Sequence, residues 1–135
     1  MTITIMKTTK GRVCGGYLHI VWKEAKGEIG TDPSAFLFSL DHRRKLTPTD
    51  PNEAVYFNLG DGCGPRFRNS LGVLNNQMMN APDNCYCDTN GSVADGYNVP
   101  TDSSGNSLLT GDGAGKKDNA KTFTLAGIET WSVIY

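Results

Sequence analysis

This sequence has almost no excess of charge of either sign, no long apolar run and little helical periodicity. Thirteen basic and fourteen acidic side chains among 135 residues give a formal net charge of −1. A protein that binds nucleic-acid backbones carries a basic patch or stripe, so this balance argues against a nucleic-acid partner. No apolar run approaches the roughly 20 residues of a membrane helix, and the opening MTITIMKTTK has no apolar signal-peptide region. We therefore expect no membrane insertion and an intracellular, cytoplasmic protein.

Cysteine occurs only four times, at Cys14, Cys63, Cys85 and Cys87. Without a secretory signal, reduced thiols are the better interpretation than two disulfides. A zinc site needs four clustered thiolates or imidazoles, and nothing in this spacing requires one. The Cys85–Cys87 pair leaves a redox function open, because thiol reactivity depends on a setting that sequence does not reveal.

Residues suited to nucleophilic catalysis are also few. His19 alternates with apolar residues, which predicts a partly buried structural side chain, and His42 lies in the polar turn LDHRRK. The chain has no G-x-S-x-G motif, and GDGAGKK lacks the Ser or Thr that follows the lysine of a phosphate loop. We predict no catalytic residue, no cofactor, no metal and no enzymatic activity.

The loops are rich in Asp and Asn, especially within residues 88–121. Their spacing does not match a calcium loop, and both residue types are common turn formers. With Tyr86 and Tyr97 nearby, these loops leave open a sugar- or calcium-binding β-sandwich module. A thiol-dependent antioxidant enzyme that uses Cys85 and Cys87 is a second open alternative.

Short β-type segments make up most of the rest of the chain. Residues 3–8 are rich in β-branched side chains, TTKG supplies a turn, and residues 12–22 return as a longer strand, which predicts a hairpin. The runs SAFLFSL and AVYFNL predict two further strands, and LGVL and NCYC two shorter ones. The sequence therefore predicts a single, mainly β domain over residues 1–135, a two-sheet antiparallel β-sandwich with long loops and few short helices.

The connections and the closing segment complete this prediction. Residues 23–33 and 41–53 are polar, and we interpret them as a connection and an exposed turn region. The chain ends on TFTLAGIETWSVIY, in which Gly127 predicts a bulge or kink between two short strands.

Two adjacent glycines interrupt the apolar strand RVCGGYLHIVWK. Both faces of this strand are largely apolar, which predicts a central strand covered on both sides. Gly15 and Gly16 remove one side chain from each face, and a glycine inside a strand typically marks the close approach of another group. We predict that a bulky group, such as an aromatic ring, packs against each gap and that the pair does not bind a ligand.

Five blocks of the sequence together resemble the TLDc domain family. They are ITIMKTTKGRVCGGY, the following Trp22, DPSAFLFSL, GPRF and FTLAGIETWSVIY. The blocks occur in the order of the family pattern and together span nearly the whole chain. The positions that match the family pattern are Gly15, Gly16, Tyr17, Trp22, Asp32, Pro33, Ala35, Phe36, Leu37, Phe38, Ser39, Leu40, Gly64, Pro65, Phe67, Phe123, Glu129 and Trp131.

The resemblance implies more than the residues alone predict. It implies a β-sandwich flanked by a few helices (α+β at the family level), a protective function under oxidative stress, and binding to the vacuolar-type proton pump (V-ATPase) as a regulator. It implies no enzymatic activity and no cofactor. Glu129, beside an aromatic residue on the last strand, is the charged group to test for a partner contact or a buried ion pair. The family's domain begins further upstream, so we interpret this chain as an N-terminally shortened domain.

Overall fold

The structure is a computed structural model that describes residues 1–23, 27–57, 64–68, 70–73, 85–87, 96–112 and 121–134. For residues 85–87 and 121–122 it describes the backbone alone. The elements are β1 (Thr2–Thr8), β2 (Val13–Leu18), β3 (Glu28–Gly30), β4 (Phe36–Ser39), β5 (Arg44–Leu46), a 3-10 helix (Pro51–Glu53), β6 (Val55–Phe57), β7 (Arg66–Phe67), β8 (Leu71–Val73), β9 (Cys85–Cys87), β10 (Lys121–Phe123) and β11 (Leu125–Ser132).

A five-stranded antiparallel sheet in the order β11-β1-β2-β4-β5 contains both ends of the described chain. The predicted β1–β2 hairpin is confirmed, and Gly11 takes a φ of 80° in its turn, where a side chain would be strained. Strand β2 is nevertheless shorter than the predicted span of 12–22. It ends at Leu18 because the Asp32 carboxylate, and not a neighbouring strand, accepts the next backbone N–H groups.

The described residues also form two smaller antiparallel sheets, in the orders β10-β9-β8-β7 and β3-β6. The prediction of a mainly β, antiparallel fold is confirmed. The strands predicted from SAFLFSL, AVYFNL, LGVL and NCYC are present as β4, β6, β8 and β9. Two predictions were wrong, since the polar connection 23–33 contains β3 and the turn region 41–53 contains β5 and the 3-10 helix.

The closing segment is one long strand preceded by a short one. The boundary between the two strands β10 and β11 lies at Thr124, and Gly127 lies within β11, so the predicted strand boundary at Gly127 was wrong, whereas the predicted bulge is confirmed. A register shift does occur beside it. Lys7 pairs with Gly127 and Thr8 with Leu125, which leaves Ala126 as the extra residue of a bulge.

The core lies between the five-stranded sheet and the rest of the molecule. Residues from the inner face of β1, β2, β4 and β5 meet residues of β6, β7, β8, β10 and the segment 97–109. Among the side chains that the structure describes, the largest fully buried ones are Tyr97, Phe57, Phe67, Phe123, Met6, Leu18, Leu37, Leu71, Leu109, Val55, Val73 and Val99. In the part of the chain that the structure describes, no helix has the length and apolar character to cross a membrane.

Candidate functional site: the glycine pair and the outer sheet face

The glycine pair of β2 is packed on both sides by aromatic rings. A Cβ atom added to Gly16 would lie 2.4 Å from Cζ of Phe67. On the opposite face, a Cβ added to Gly15 would lie 2.9 Å from Cζ of Phe38 and 1.9 Å from the backbone oxygen of Thr4. Real Cβ atoms do not approach so closely, so the Phe67 ring fills the space of a side chain at Gly16, and the Phe38 ring together with the Thr4 backbone fills that at Gly15. The prediction of a bulky group over each glycine is confirmed.

Asp32 is a buried structural residue, only 1% exposed. One carboxylate oxygen accepts hydrogen bonds from the backbone N–H groups of His19, at 2.6 Å, and Ile20, at 3.2 Å. The other accepts from the N–H of Ser34, at 2.9 Å. Because a buried carboxylate needs such donors, Asp32 fixes the turn that leads into β4 to the end of β2. His19 itself is exposed, which corrects the prediction of a partly buried side chain.

Trp22 seals one side of the core. Its ring packs edge-on against Phe57 and Phe67, with centroid distances of 6.3 Å and 5.7 Å. Its indole Nε1–H donates a hydrogen bond of 3.0 Å to Oγ1 of Thr2. This arrangement satisfies both the apolar body and the polar tip of the side chain, so Trp22 is a packing residue.

The outer face is the side of the five-stranded sheet that points away from the core. Alternation along the paired strands places the following residues on it: Ile3, Ile5, Lys7, Val13, Gly15, Tyr17, Phe36, Phe38, Lys45, Gly127, Glu129 and Trp131. No member of this set belongs to the core cluster, although several are apolar. The outer face is therefore an apolar surface separate from the core.

Three aromatic residues of the outer face form what we call the aromatic patch: Tyr17, Phe36 and Phe38. Tyr17 and Phe36 stack with a centroid distance of 5.1 Å, and Phe38 lies 6.4 Å from Phe36. The Lys45 ammonium sits 4.3 Å from the centroid of Phe36. Phe38 is 8% exposed because it also covers Gly15, while Tyr17 and Phe36 are half-buried. The patch thus presents rigid aromatic surface beside a positive charge.

The β1–β11 end of the same face is more open. A shallow depression of about 380 Å³ is lined by Ile5, Lys7, Val13, Gly127, Ile128 and Glu129. Trp131 beside it is 57% exposed, and its Nε1–H donates a 2.9 Å hydrogen bond to Oε2 of Glu129. Glu129 is exposed and faces Ile5 across the strand pair, so it is not part of a buried ion pair. A partner contact remains the prediction for this carboxylate.

The remaining sequence-predicted residues are distributed between core and turns. Ala35, Leu37, Phe67 and Phe123 are buried in the core, whereas Pro33 and Leu40 are exposed next to it. Ser39 is buried, and its Oγ accepts a 3.3 Å hydrogen bond from the N–H of His42. Gly64 and Pro65 both bond to the backbone of Val73, which ties the GPRF turn to β8. The structure therefore brings the predicted residues together as a scaffold rather than around one cavity.

One polar cluster has no signal in the sequence. Arg12 bonds to His42 and forms an ion pair with Asp102 at 3.0 Å, although the three residues belong to distant turns. The Asp102 carboxylate also accepts from the N–H groups of Asn106 and Ser104, at 3.0 Å and 2.8 Å. The pKa of Asp102 is lowered, first by the hydrogen bond from the Asn106 N–H and then by that from the Ser104 N–H. The charges of Arg12 and His42 lower it further. This is turn chemistry, as predicted for the Asp-rich loops.

The structure removes one support of the sugar-binding alternative. Tyr97 is fully buried, and its hydroxyl donates a 3.0 Å hydrogen bond to the backbone oxygen of Ala54. Burial, followed by the nearby charge of Asp32, raises the pKa of Tyr97 above its usual range. Its ring edge packs against Phe67, so it offers no surface to a ligand.

The metal and redox hypotheses are only partly within the described residues. These residues contain no cluster of His, Cys, Asp or Glu that would hold a metal ion. Cys63, the side chains of Cys85, Tyr86 and Cys87, and most of the 88–121 loop acids lie outside the described residues.

The chain's family follows from a match along nearly all of its length. Neither a curated protein nor a solved structure matches this chain. The family model described as the TLDc domain matches residues 1–134, which include the packed glycine pair, the Asp32 turn and the Glu129–Trp131 strand. The chain therefore belongs to the TLDc domain family.

Proposed function

We propose that this chain is a non-catalytic TLDc-type interaction domain that binds a protein partner through its outer sheet face. The observation that carries the proposal is the apolar outer face, which lies apart from the core and ends at the exposed Trp131. Protein interfaces are enriched in aromatic residues and often combine them with a cation. The packed glycine pair supports the same view, because rings occupy the space that a substrate would need.

The aromatic patch is the centre of the proposed binding surface. The Tyr17–Phe36 stack fixes both rings, so a partner would meet a surface that loses little conformational entropy on binding. Lys45 lies over the Phe36 ring and adds a positive charge at the rim. Such a surface fits a partner with apolar side chains bordered by acidic ones.

We infer the identity of the proposed partner from membership in the TLDc family. By that resemblance, the partner is a subunit of the V-ATPase, and the consequences are regulation of the pump and protection under oxidative stress. A cytoplasmic location belongs to the same proposal, and the buried thiol of Cys14 suits a reducing compartment. The proposed function involves neither nucleic-acid binding nor membrane insertion.

Two matched variants test the proposal. Phe36→Ser removes a half-buried ring that has a lysine 4.3 Å from its centroid. Tyr56→Ser is the control, because Tyr56 is also half-buried and has the Arg66 guanidinium 4.7 Å from its centroid, but it lies on β6, outside the five-stranded sheet. In pull-downs with purified V-ATPase subunits, we expect wild type and Tyr56→Ser to retain them and Phe36→Ser to lose them.

Folded wild-type protein that retains no pump subunit would contradict the partner, and equal binding by both variants would contradict the surface. Peroxide consumption that disappears on Cys85→Ser and Cys87→Ser would instead support a thiol-dependent antioxidant enzyme. A calcium-dependent rise in melting temperature would support the ligand-binding module.

A further inference from the structure

The two edges of the five-stranded sheet differ in length and charge. The β5 edge has three residues, two of them basic, and it follows Arg43. The β11 edge has eight residues and a single charged one, Glu129. Natural sheets protect their edges with short strands, charges, bulges or proline. Strand β5 is short and basic, whereas β11 has a bulge at Ala126 and one charge, and is otherwise a regular, unprotected edge.

The hydrogen-bond ladder shows which groups of β11 point away from the sheet. The N–H of Val133 donates to the backbone oxygen of Met1, and the pairs Ile3–Trp131 and Ile5–Glu129 follow at alternate positions. In an antiparallel ladder, every second residue directs both backbone groups to its neighbour. The N–H and C=O groups of the intervening residues, Ile128, Thr130 and Ser132, therefore point outward. We call these backbone groups, with the side chains of Glu129 and Trp131, the β11 edge.

No strand of the described chain pairs with this edge. The side chains from Ala126 to Ser132 are exposed except for Ile128, which is partly buried, so another strand has direct access. An exposed edge of this length is a template for strand addition.

We propose that the β11 edge pairs with the β11 edge of a second copy of this chain, antiparallel and about a two-fold axis at Thr130. In this register Thr130 lies opposite Thr130 of the second copy, and Ile128 lies opposite Ser132. On the outer face Glu129 lies opposite Trp131, whose Nε1–H is already the donor to a carboxylate at 2.9 Å within each chain. Both sheets join into one continuous sheet.

The alternative registers are less favourable. An axis at Glu129 would place two carboxylates directly opposite each other, which destabilises a strand pair. An axis at Ile128 would run the pairing over the bulge at Ala126, where regular register is already lost. An axis at Trp131 would leave only the last residues of β11 overlapping. The Thr130 register has the longest regular overlap without like charges in contact.

This association is distinct from the proposed partner binding. Three strand spacings, roughly 14 Å, separate β11 from β4 and its half of the aromatic patch. A single strand pair also forms a small interface, roughly below 1,200 Å² in total, so we expect a weak, concentration-dependent dimer. Because Glu129 and Trp131 also belong to the outer face, different variants separate the two proposals: Phe36→Ser changes the aromatic patch alone, and Thr130→Pro changes a backbone group of the β11 edge alone.

Substitutions at Trp131 test the register. Trp131→Glu and Trp131→Lys remove the same ring but place opposite charges against Glu129 of the second copy. By sedimentation equilibrium of the full chain under reducing conditions, we expect Trp131→Lys to dimerise and Trp131→Glu to raise the dissociation constant about tenfold or more. Adding Glu129→Lys to Trp131→Glu restores opposite charges, so the double variant should dimerise again. Circular dichroism and melting curves verify that each variant is folded.

Thr130→Pro tests the edge itself. The N–H that it removes points away from β1, so proline at this position leaves the β1–β11 ladder intact and abolishes pairing with the second copy. Thr130→Val, which keeps the N–H, is the matched control and should dimerise. Wild type that remains monomeric at several hundred micromolar would overturn the proposal. The β11 edge would then be a candidate site for an extended peptide of another protein. Equal weakening by Trp131→Glu and Trp131→Lys, or a dimer that survives Thr130→Pro, would also overturn it.

Discussion

Some residues of this chain contribute to the fold through the space that their missing side chains leave for a neighbour. Gly16 leaves room for the Phe67 ring, which itself packs edge-on against Trp22 and Tyr97. Period-two alternation of the sequence was sufficient to predict a bulky group at each glycine. It could not identify Phe67 or Phe38, because the partner of a gap is set by tertiary packing between distant segments.

Gly16→Ala should destabilise the fold by about 1–3 kcal/mol, since the Phe67 ring is held by its neighbours and cannot move aside freely. Gly127→Ala is the matched control on the same sheet, because a Cβ there meets nothing within 4 Å, and it should change stability by less than about 0.5 kcal/mol. Urea denaturation measures both. Adding Phe67→Leu should cost less in the Gly16→Ala background than in wild type, and strictly additive losses would show that the two residues are not in contact.

Asp102 and Asp112 should respond to pH in opposite directions. Hydrogen bonds from the Asn106 and Ser104 N–H groups lower the pKa of Asp102, so its contribution is present above the unfolded-state pKa and is lost as the pH falls through the folded-state value. Burial raises the pKa of Asp112, whose Oδ2 has no hydrogen-bond partner among the described residues, so its ionisation costs stability as the pH rises. Near neutral pH, Asp102→Asn should lower the melting temperature by a few degrees, whereas Asp112→Asn should leave it unchanged or raise it.

Melting curves from neutral pH to well below the ordinary aspartate pKa of about 3.9 decide this pair, because both differences from wild type should shrink once the carboxylates are protonated. An Asp102→Asn effect that persists unchanged in acid would contradict the assignment of its stabilising contribution to the ionised form.

At the scale of elements, the boundaries depend on side chains that lie elsewhere in the sequence. Strand β2 ends at Leu18 because Asp32 takes the backbone donors that follow it. Strands β3 (EIG) and β5 (RKL) have three residues each and a single large apolar residue apiece, so no apolar alternation distinguishes them from loops. Both exist because their neighbours, β6 and β4, offer paired backbone groups.

Asp32→Ala should destabilise the fold by about 2–4 kcal/mol, because it leaves the N–H groups of His19, Ile20 and Ser34 without their charged acceptor. Asp50→Ala is a milder control. Among the described residues, the Asp50 side chain accepts one hydrogen bond, from the N–H of Asn52 at the start of the 3-10 helix, so its loss should cost about 1 kcal/mol or less. Equal losses in urea denaturation would contradict the role of Asp32 in ending β2.

At the scale of the whole molecule, the antiparallel β architecture and the family were accessible from the sequence, since both depend on local pattern and motif order. The strand order was not, because β1 pairs with β11 across almost the full chain length. Neither was the Arg12–His42–Asp102 cluster, whose members meet only when three turns come together.

The residues that build the sheet differ from those that we propose contact the partner. The glycine pair and the Asp32 turn build the sheet, and the outer face of that sheet is the surface that we propose binds the pump. Substitutions in the core should therefore change stability without changing affinity, while truncation of the half-buried Tyr17 or Phe36 should mainly change affinity.

The most direct test is the equilibrium dissociation constant for purified V-ATPase subunits, measured below the melting temperature of every variant. We predict that Gly16→Ala binds as tightly as wild type although it is less stable, as does Tyr56→Ser, whereas Phe36→Ser remains folded and binds at least about tenfold more weakly. Unchanged affinity in Phe36→Ser, or no measurable affinity in wild type, would contradict an interaction domain that works through this face.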